Sequence, residues 1–129
     1  MSESSTIYNS ASGDKKLYNL EHLFSLVNND RDFVKGLIEI FINTIPPLAK
    51  EMQNACAKKD WPEVAKIAHK LKPTIETMKI SSIHEQIKLV ENSAKAQTNT
   101  VLIVQLSHQI NDTIFQASEE LKKELENWF

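Results

Sequence analysis

A chain of 129 residues with 41% hydrophobic and 25% charged residues has the size and balance of one globular domain with a sizeable core. A formal net charge of −2 excludes a nucleic-acid-binding polycation, and two glycines with four prolines supply little turn chemistry for a β protein. The single cysteine, Cys56, allows no internal disulfide and no zinc cluster, so it reads as a small buried hydrophobe in a reducing compartment.

Residues 1–16 are rich in serine and charge and read as a disordered tail, with no apolar stretch of signal-peptide type. No run approaches the roughly 20 apolar residues of a membrane span, so the cytoplasm is the expected compartment. Asn19 is placed to cap a short helix through Val27, with Leu20, Leu23, Phe24 and Val27 as its apolar stripe. Asn28-Asn29-Asp30 breaks that helix, and Asp30 caps the next. The second helix carries Phe33, Leu37, Ile40, Phe41 and Thr44 at buried-stripe spacing. Pro46-Pro47 is expected to stop or kink it, and a segment with Leu48, Met52 and Cys56 follows to about Lys59. The two segments together can form one helix kinked at the prolines.

Asp60-Trp61-Pro62-Glu63 is a helix start: a capping aspartate, a first-turn proline and a glutamate at the capping-box position. This helix runs to about Lys79 with Val64, Ile67, Ala68, Leu71, Ile75 and Met78 inward. Another begins at Ser82, with Glu85 completing a second box and Ile83, Ile87, Val90 and Ala94 on its inner face. After a polar connection, the last helix spans Thr100 to about Asn127, with Ile103, Leu106, Ile110, Ile114 (or Thr113), Ala117, Leu121, Leu125 and Trp128 inward. Short loops between long amphipathic helices favour antiparallel neighbours. The expected fold is all-α, an up-down antiparallel four-helix bundle with a short additional N-terminal helix, in one domain over residues 17–129.

The chemistry concentrates in Ala68-His69-Lys70-Leu71-Lys72-Pro73. His69 and Lys72 are three residues apart and therefore neighbours on one helix surface. Ala65, Lys66, Pro73 and Glu76 share that face, opposite the apolar stripe, so His69 points to solvent. No carboxylate lies within one helical turn of it in sequence. An ordinary imidazole titrates at about pH 6.5, which leaves a large neutral fraction with a nucleophilic nitrogen near neutrality. Lys72 offers donors to phosphoryl oxygens. Pro73 withholds the backbone donor that the His69 carbonyl would accept, and its compact ring leaves the approach open. Lys58, Lys59, Lys66, Lys70, Lys72 and Lys79 outnumber Asp60, Glu63 and Glu76, a basic belt suited to a partner with an acidic pocket.

This stretch resembles the histidine-containing phosphotransfer (HPt) domain, whose signature is His-x-x-Lys followed by a small residue, often with Leu before the Lys. The resemblance extends over about residues 17–128, from the short leading helix through a Phe-containing second helix ending in Pro and the Asp60 start to the long final helix. It implies that His69 is the phosphoacceptor and Lys72 the phosphate-steadying cation. It implies docking of response-regulator receiver domains, and of a hybrid histidine kinase, over Ala65, Lys66, Pro73 and Glu76, with Leu23 and Phe24 of the short helix in the docking patch. The phosphoryl group passes from a receiver aspartate to His69 and on to a second receiver. The chain itself needs no cofactor on this reading, since Mg²⁺ is expected on the receiver. Two positions depart from the family pattern: Pro73 stands where Gly or Ser is usual, and Lys79 where Gly is usual.

The sequence holds no Gly-rich nucleotide loop, which matches a phosphoryl carrier with no ATP site; the expected protein is a monomer with no membrane and no nucleic-acid partner. The alternative is a non-phosphorylated adaptor bundle that docks a receiver or kinase. A metal-dependent bundle enzyme is a further rival, disfavoured because no Glu-x-x-His spacing precedes His22, His69, His84 or His108. His108 and Asp112 alone give two ligands at i, i+4. His22 and His84 read as incidental surface residues.

Overall fold

The computed structural model describes residues 16–129, and these are all-helical, with no strand among them. The expected N-terminal tail, Lys16 apart, lies outside the described residues. Five helices follow in order: α1 (Leu20–Leu26), α2 (Arg31–Ala57), α3 (Trp61–Met78), α4 (Ser81–Ala96) and α5 (Thr100–Trp128). The four long helices close a ring of contacts, α2 on α3, α3 on α4, α4 on α5 and α5 on α2, while α1 lies against α2 and α3.

Capping explains three of the starts. The Asn19, Asp30 and Asp60 side chains accept from the amides of His22, Phe33 and Glu63 at 3.0, 3.1 and 3.2 Å, each worth about 1 kcal/mol. The capping box expected at Ser82 and Glu85 does not form. α4 starts one residue earlier with Ile80 as its cap and no side-chain cap bond. Ile80 is fully buried, and its amide donates to the Ile75 carbonyl at 3.1 Å. The turn is therefore organised by closing α3 rather than by capping α4.

The same closure recurs. Lys59, Lys79 and Gln97 all adopt left-handed φ, at 59°, 55° and 56°. The residues after them, Asp60, Ile80 and Thr98, donate back to Ala55, Ile75 and Ser93. These are Schellman closures, in which the left-handed position favours glycine. The chain places no glycine there, so each turn carries a steric cost. Lys79→Gly is expected to raise stability by about 1 kcal/mol, read as a higher midpoint in urea unfolding at unchanged slope.

α2 is a single helix through Pro46 and Pro47, so the two sequence segments are one element. The prolines leave the Ile42 and Asn43 carbonyls without their usual helical donors. The inward stripe of α2 differs from the sequence expectation by one residue. Val34, Ile38, Phe41, Ile45, Ala49 and Met52 are buried, while Phe33 and Ile40 are 54% and 59% exposed. The remaining expected cores hold: Val64, Ile67, Ala68, Leu71, Ile75 and Met78 from α3, Ile83, Ile87, Val90 and Ala94 from α4, and Ile103 to Leu121 from α5. Only the end of the α5 stripe departs, with Leu125 half-buried and Trp128 exposed. Cys56 is buried, with its thiol donating to Ser107 Oγ at 3.5 Å, and burial pushes its pKa up, so it stays a protonated core group.

Candidate functional site

α3 carries His69 on its outer surface, where its side chain is 67% exposed. The sequence reading placed no carboxylate near it, and within α3 that is so. The neighbouring helix changes this. Glu91 of α4 is buried, and its Oε2 lies 2.7 Å from His69 Nδ1. Its Oε1 accepts from Lys72 Nζ at 2.8 Å, and Lys95 Nζ lies 3.1 Å from Oε2. One buried carboxylate thus ties together the imidazole and two ammonium groups.

Hydrogen bonds from Lys72 above all, then from Lys95 and His69, hold the Glu91 carboxyl down at about 2, against the opposing effect of its burial. Glu91 is therefore ionised, and an ionised carboxylate can only accept. The proton in the His69 contact must sit on Nδ1. That assigns the lone pair of the neutral ring to Nε2. The site presents an exposed imidazole with a fixed tautomer, a basic nitrogen at its tip, and ammonium groups beside it. Chemically it is a nucleophile with nearby charge to receive an anionic group.

Two grooves border α3, and His69 lines the first. On the α4 side a groove of about 580 Å³ is lined by Pro62, Ala65, Lys66, His69, Lys70 and Lys95, among others, and is basic. On the other side a groove of about 240 Å³ brings Pro73, Thr74 and Thr77 of α3 against Leu37, Ile40 and Thr44 of α2, and is apolar. Among the predicted docking residues, Lys66 and Pro73 are exposed and line these two grooves. Ala65 is not a free surface residue but the buried floor of the basic groove. Leu23 is fully buried and touches only the apolar groove. Phe24 is turned elsewhere, stacked on Phe129 with ring centroids 6.4 Å apart. Glu76 is exposed but paired with His84, whose Nε2 lies 2.8 Å from Glu76 Oε2, with Glu85 at 3.5 Å from Nδ1. His84 is thus a tie between the ends of α3 and α4 rather than an incidental residue, and it holds the Glu76 carboxyl below its ordinary value.

Among the described residues no group of three or more His, Cys, Asp or Glu could hold a metal ion. His108 meets Gln53 Nε2 through Nδ1 at 2.6 Å. No helix of the described residues is long and apolar enough to cross a membrane.

A family model, the Hpt domain, matches residues 36–128, which takes in α2 from its second turn to the end of α5 and includes His69, Lys72 and Glu91. The chain belongs to the Hpt domain family. No curated protein and no solved structure matches it significantly. The Hpt assignment gives a general role in histidine phosphotransfer within phosphorelays, as a carrier rather than an enzyme, among receiver domains and kinases.

Sequence reasoning missed Glu91 and Lys95. The signal for Glu91 was present: it lies four residues after Ile87 and eight after Ile83, on the inner edge of α4. A charged residue at an inward position asks for a partner. Which partner depends on how α4 rotates against α3.

Proposed function

We propose that this Hpt domain carries phosphate on His69 Nε2, taking it from the aspartyl phosphate of one receiver domain and passing it to the aspartate of another. The observation that carries the reading is the Glu91 carboxylate, which holds His69 by Nδ1 and Lys72 by its ammonium, leaving Nε2 as the free nucleophile.

The step follows from that geometry. The Nε2 lone pair attacks phosphorus in line, and the bond from phosphorus to the receiver's carboxylate oxygen breaks. The leaving electrons return to the receiver aspartate. Positive charge develops on the imidazole, and the ionised Glu91 beside Nδ1–H offsets it. Lys72, one turn from His69 on α3 and held by Glu91, shares its donors with the arriving phosphoryl oxygens. Onward transfer to the second receiver reverses each motion. Mg²⁺ belongs to the receiver on this reading. The absence of a Gly-rich nucleotide motif in the sequence supports a carrier without an ATP site of its own.

Short connections between the long helices support an up-down antiparallel arrangement of α2 to α5, with one Hpt domain over residues 17–129. A receiver then meets α3 between two surfaces of different character. Its acidic rim suits the lysine-lined groove, and its apolar face suits Ile40 and Pro73. The test is incubation with a panel of phosphorylated receivers, read by intact mass and peptide mapping. The expected product gains one phosphoryl group on the His69 peptide, labile in acid and stable in base. Phosphate mapped to any other residue, or none from any receiver, sinks the proposal.

A further inference from the structure

A second cavity, of about 250 Å³, lies where α1, the start of α2 and the end of α5 converge, and His69 is not among its lining residues. Its walls are apolar and aromatic. Phe24 and Phe129 stack with planes 6° apart, and Leu20 and Trp128 complete the enclosure. Three charged groups also line it: Glu21, Arg31 and Glu124.

Carboxylates outnumber cations in the lining itself. The Arg31 guanidinium sits 5.1 Å above the Phe129 ring and is committed to that face. Glu124 is buried, with its side chain 5% exposed. It accepts from the Tyr18 hydroxyl at 2.9 Å, and the Lys16 ammonium stands at 4.0 Å, both on Oε2. An ionised carboxylate offers about four acceptor positions, and one hydroxyl with one distant ammonium does not exhaust them. With Glu21 at the rim the lining itself carries two carboxylates against one guanidinium, and Lys16, outside the lining, stands 4.0 Å from Glu124.

We propose that this cavity is a binding site for a small organic monocation with an aromatic or short alkyl body. An arylalkylammonium is the simplest such ligand, its ammonium toward Glu124 and Glu21 and its body against Phe24, Phe129 and Trp128. The volume confines the ligand to about the size of a single aromatic side chain with a short amine arm. An anion meets two carboxylates, and a neutral molecule of the same shape leaves Glu124 with Lys16, at 4.0 Å, as its nearest cation.

The probe is phenethylammonium, titrated into the full chain and followed by backbone amide and indole resonances. Saturable shifts centred on Leu20, Phe24, Phe129 and the Trp128 indole are expected, with a Kd of about 1 mM or below. Phenethyl alcohol, which has the same shape without the charge, is expected to bind about tenfold more weakly, about 1.4 kcal/mol. Glu124→Gln keeps an acceptor for Tyr18 and is expected to lose about the same tenfold for the ammonium. Should that variant fail to fold, Glu21→Gln at the exposed rim is expected to lose about threefold. Equal binding of alcohol and ammonium, shifts that never saturate, or shifts centred elsewhere overturn the proposal. Phosphate transfer does not enter the readout, so this outcome and that at His69 are independent.

Discussion

His69→Gln is expected to abolish acid-labile phosphate completely while leaving the fold and the receiver-docking surface in place. Glutamine has no nucleophilic nitrogen, so the loss of transfer is total rather than graded. The structural cost is small for three reasons. The side chain is exposed, so no core volume changes. Its removal leaves Glu91 with Lys72 and Lys95, so no buried charge is orphaned. The α3 stripe from Val64 to Met78 is untouched. The expected change in unfolding free energy is within about 0.5 kcal/mol. Two measurements read the outcome together: transfer by mass, and receiver affinity by titration. Transfer lost with affinity kept is the result expected of a carrier. Phosphate still accepted by the variant removes His69 from its role. If wild type and variant bind a receiver alike and neither accepts phosphate, the chain is an adaptor instead.

Much of the fold was readable because it depends on local rules. Asp30 and Asp60 announce their helices by chemistry that acts three residues away, and the periods of α3, α4 and α5 each single out one face. α2 misled because two adjacent stripes have helical spacing. Phe33, Leu37 and Ile40 satisfy the period as well as Val34, Ile38, Phe41 and Ile45 do, and the sequence does not say which of them faces α3 and α5. Both stripes have a use, one as core and the other, through Leu37 and Ile40, bordering the apolar groove beside Pro73. The turn at Lys79 misled for another reason. Ser82 and Glu85 have capping-box spacing, but burial of Ile80 sets the chain direction first, and tertiary packing outranks a local cap.

The site divides in the same way. His69 and Lys72 lie one turn apart, so their proximity is a property of any helix. Glu91 comes from 22 residues further along, on another helix, and its contact with His69 depends on the rotation and register of α4 against α3. Spacing within one helix therefore singled out the histidine and the lysine proposed as nucleophile and cation. The group that fixes which ring nitrogen is free became visible only with the helices packed. Phe24 shows the reverse error. It looked like a docking residue because it is large and apolar on a short helix, and stacking on Phe129 draws it to the other cavity.

Glu91→Gln is expected to slow phosphoryl transfer by about ten- to a hundredfold without removing it. The amide oxygen still accepts from Nδ1–H, so geometry is largely preserved. What disappears is the negative charge that offsets the imidazole's positive charge as Nε2 bonds to phosphorus. Lys72 and Lys95 lose their anchor in the same change. A merely structural role would move stability alone, so the ring ¹⁵N shifts of His69 decide between the two. They are expected to report Nδ1–H with a free Nε2 in the wild type and a growing share of Nε2–H in the variant. The pH dependence of stability gives a second, independent reading. Glu91 titrates at about 2 in the folded chain against an ordinary 4.5. A carboxylate with a depressed folded-state pKa adds stability that is fully present above its unfolded value and is lost as pH falls toward the folded one. The wild type is therefore expected to lose this contribution between about pH 4.5 and pH 2, with no matching loss from this position in Glu91→Gln. The two stability curves, apart at neutral pH, approach one another across that window. Parallel curves together with an unchanged transfer rate would show that Glu91 neither anchors the lysines nor assists the histidine. Converging curves with slowed transfer tie both effects to the one buried charge.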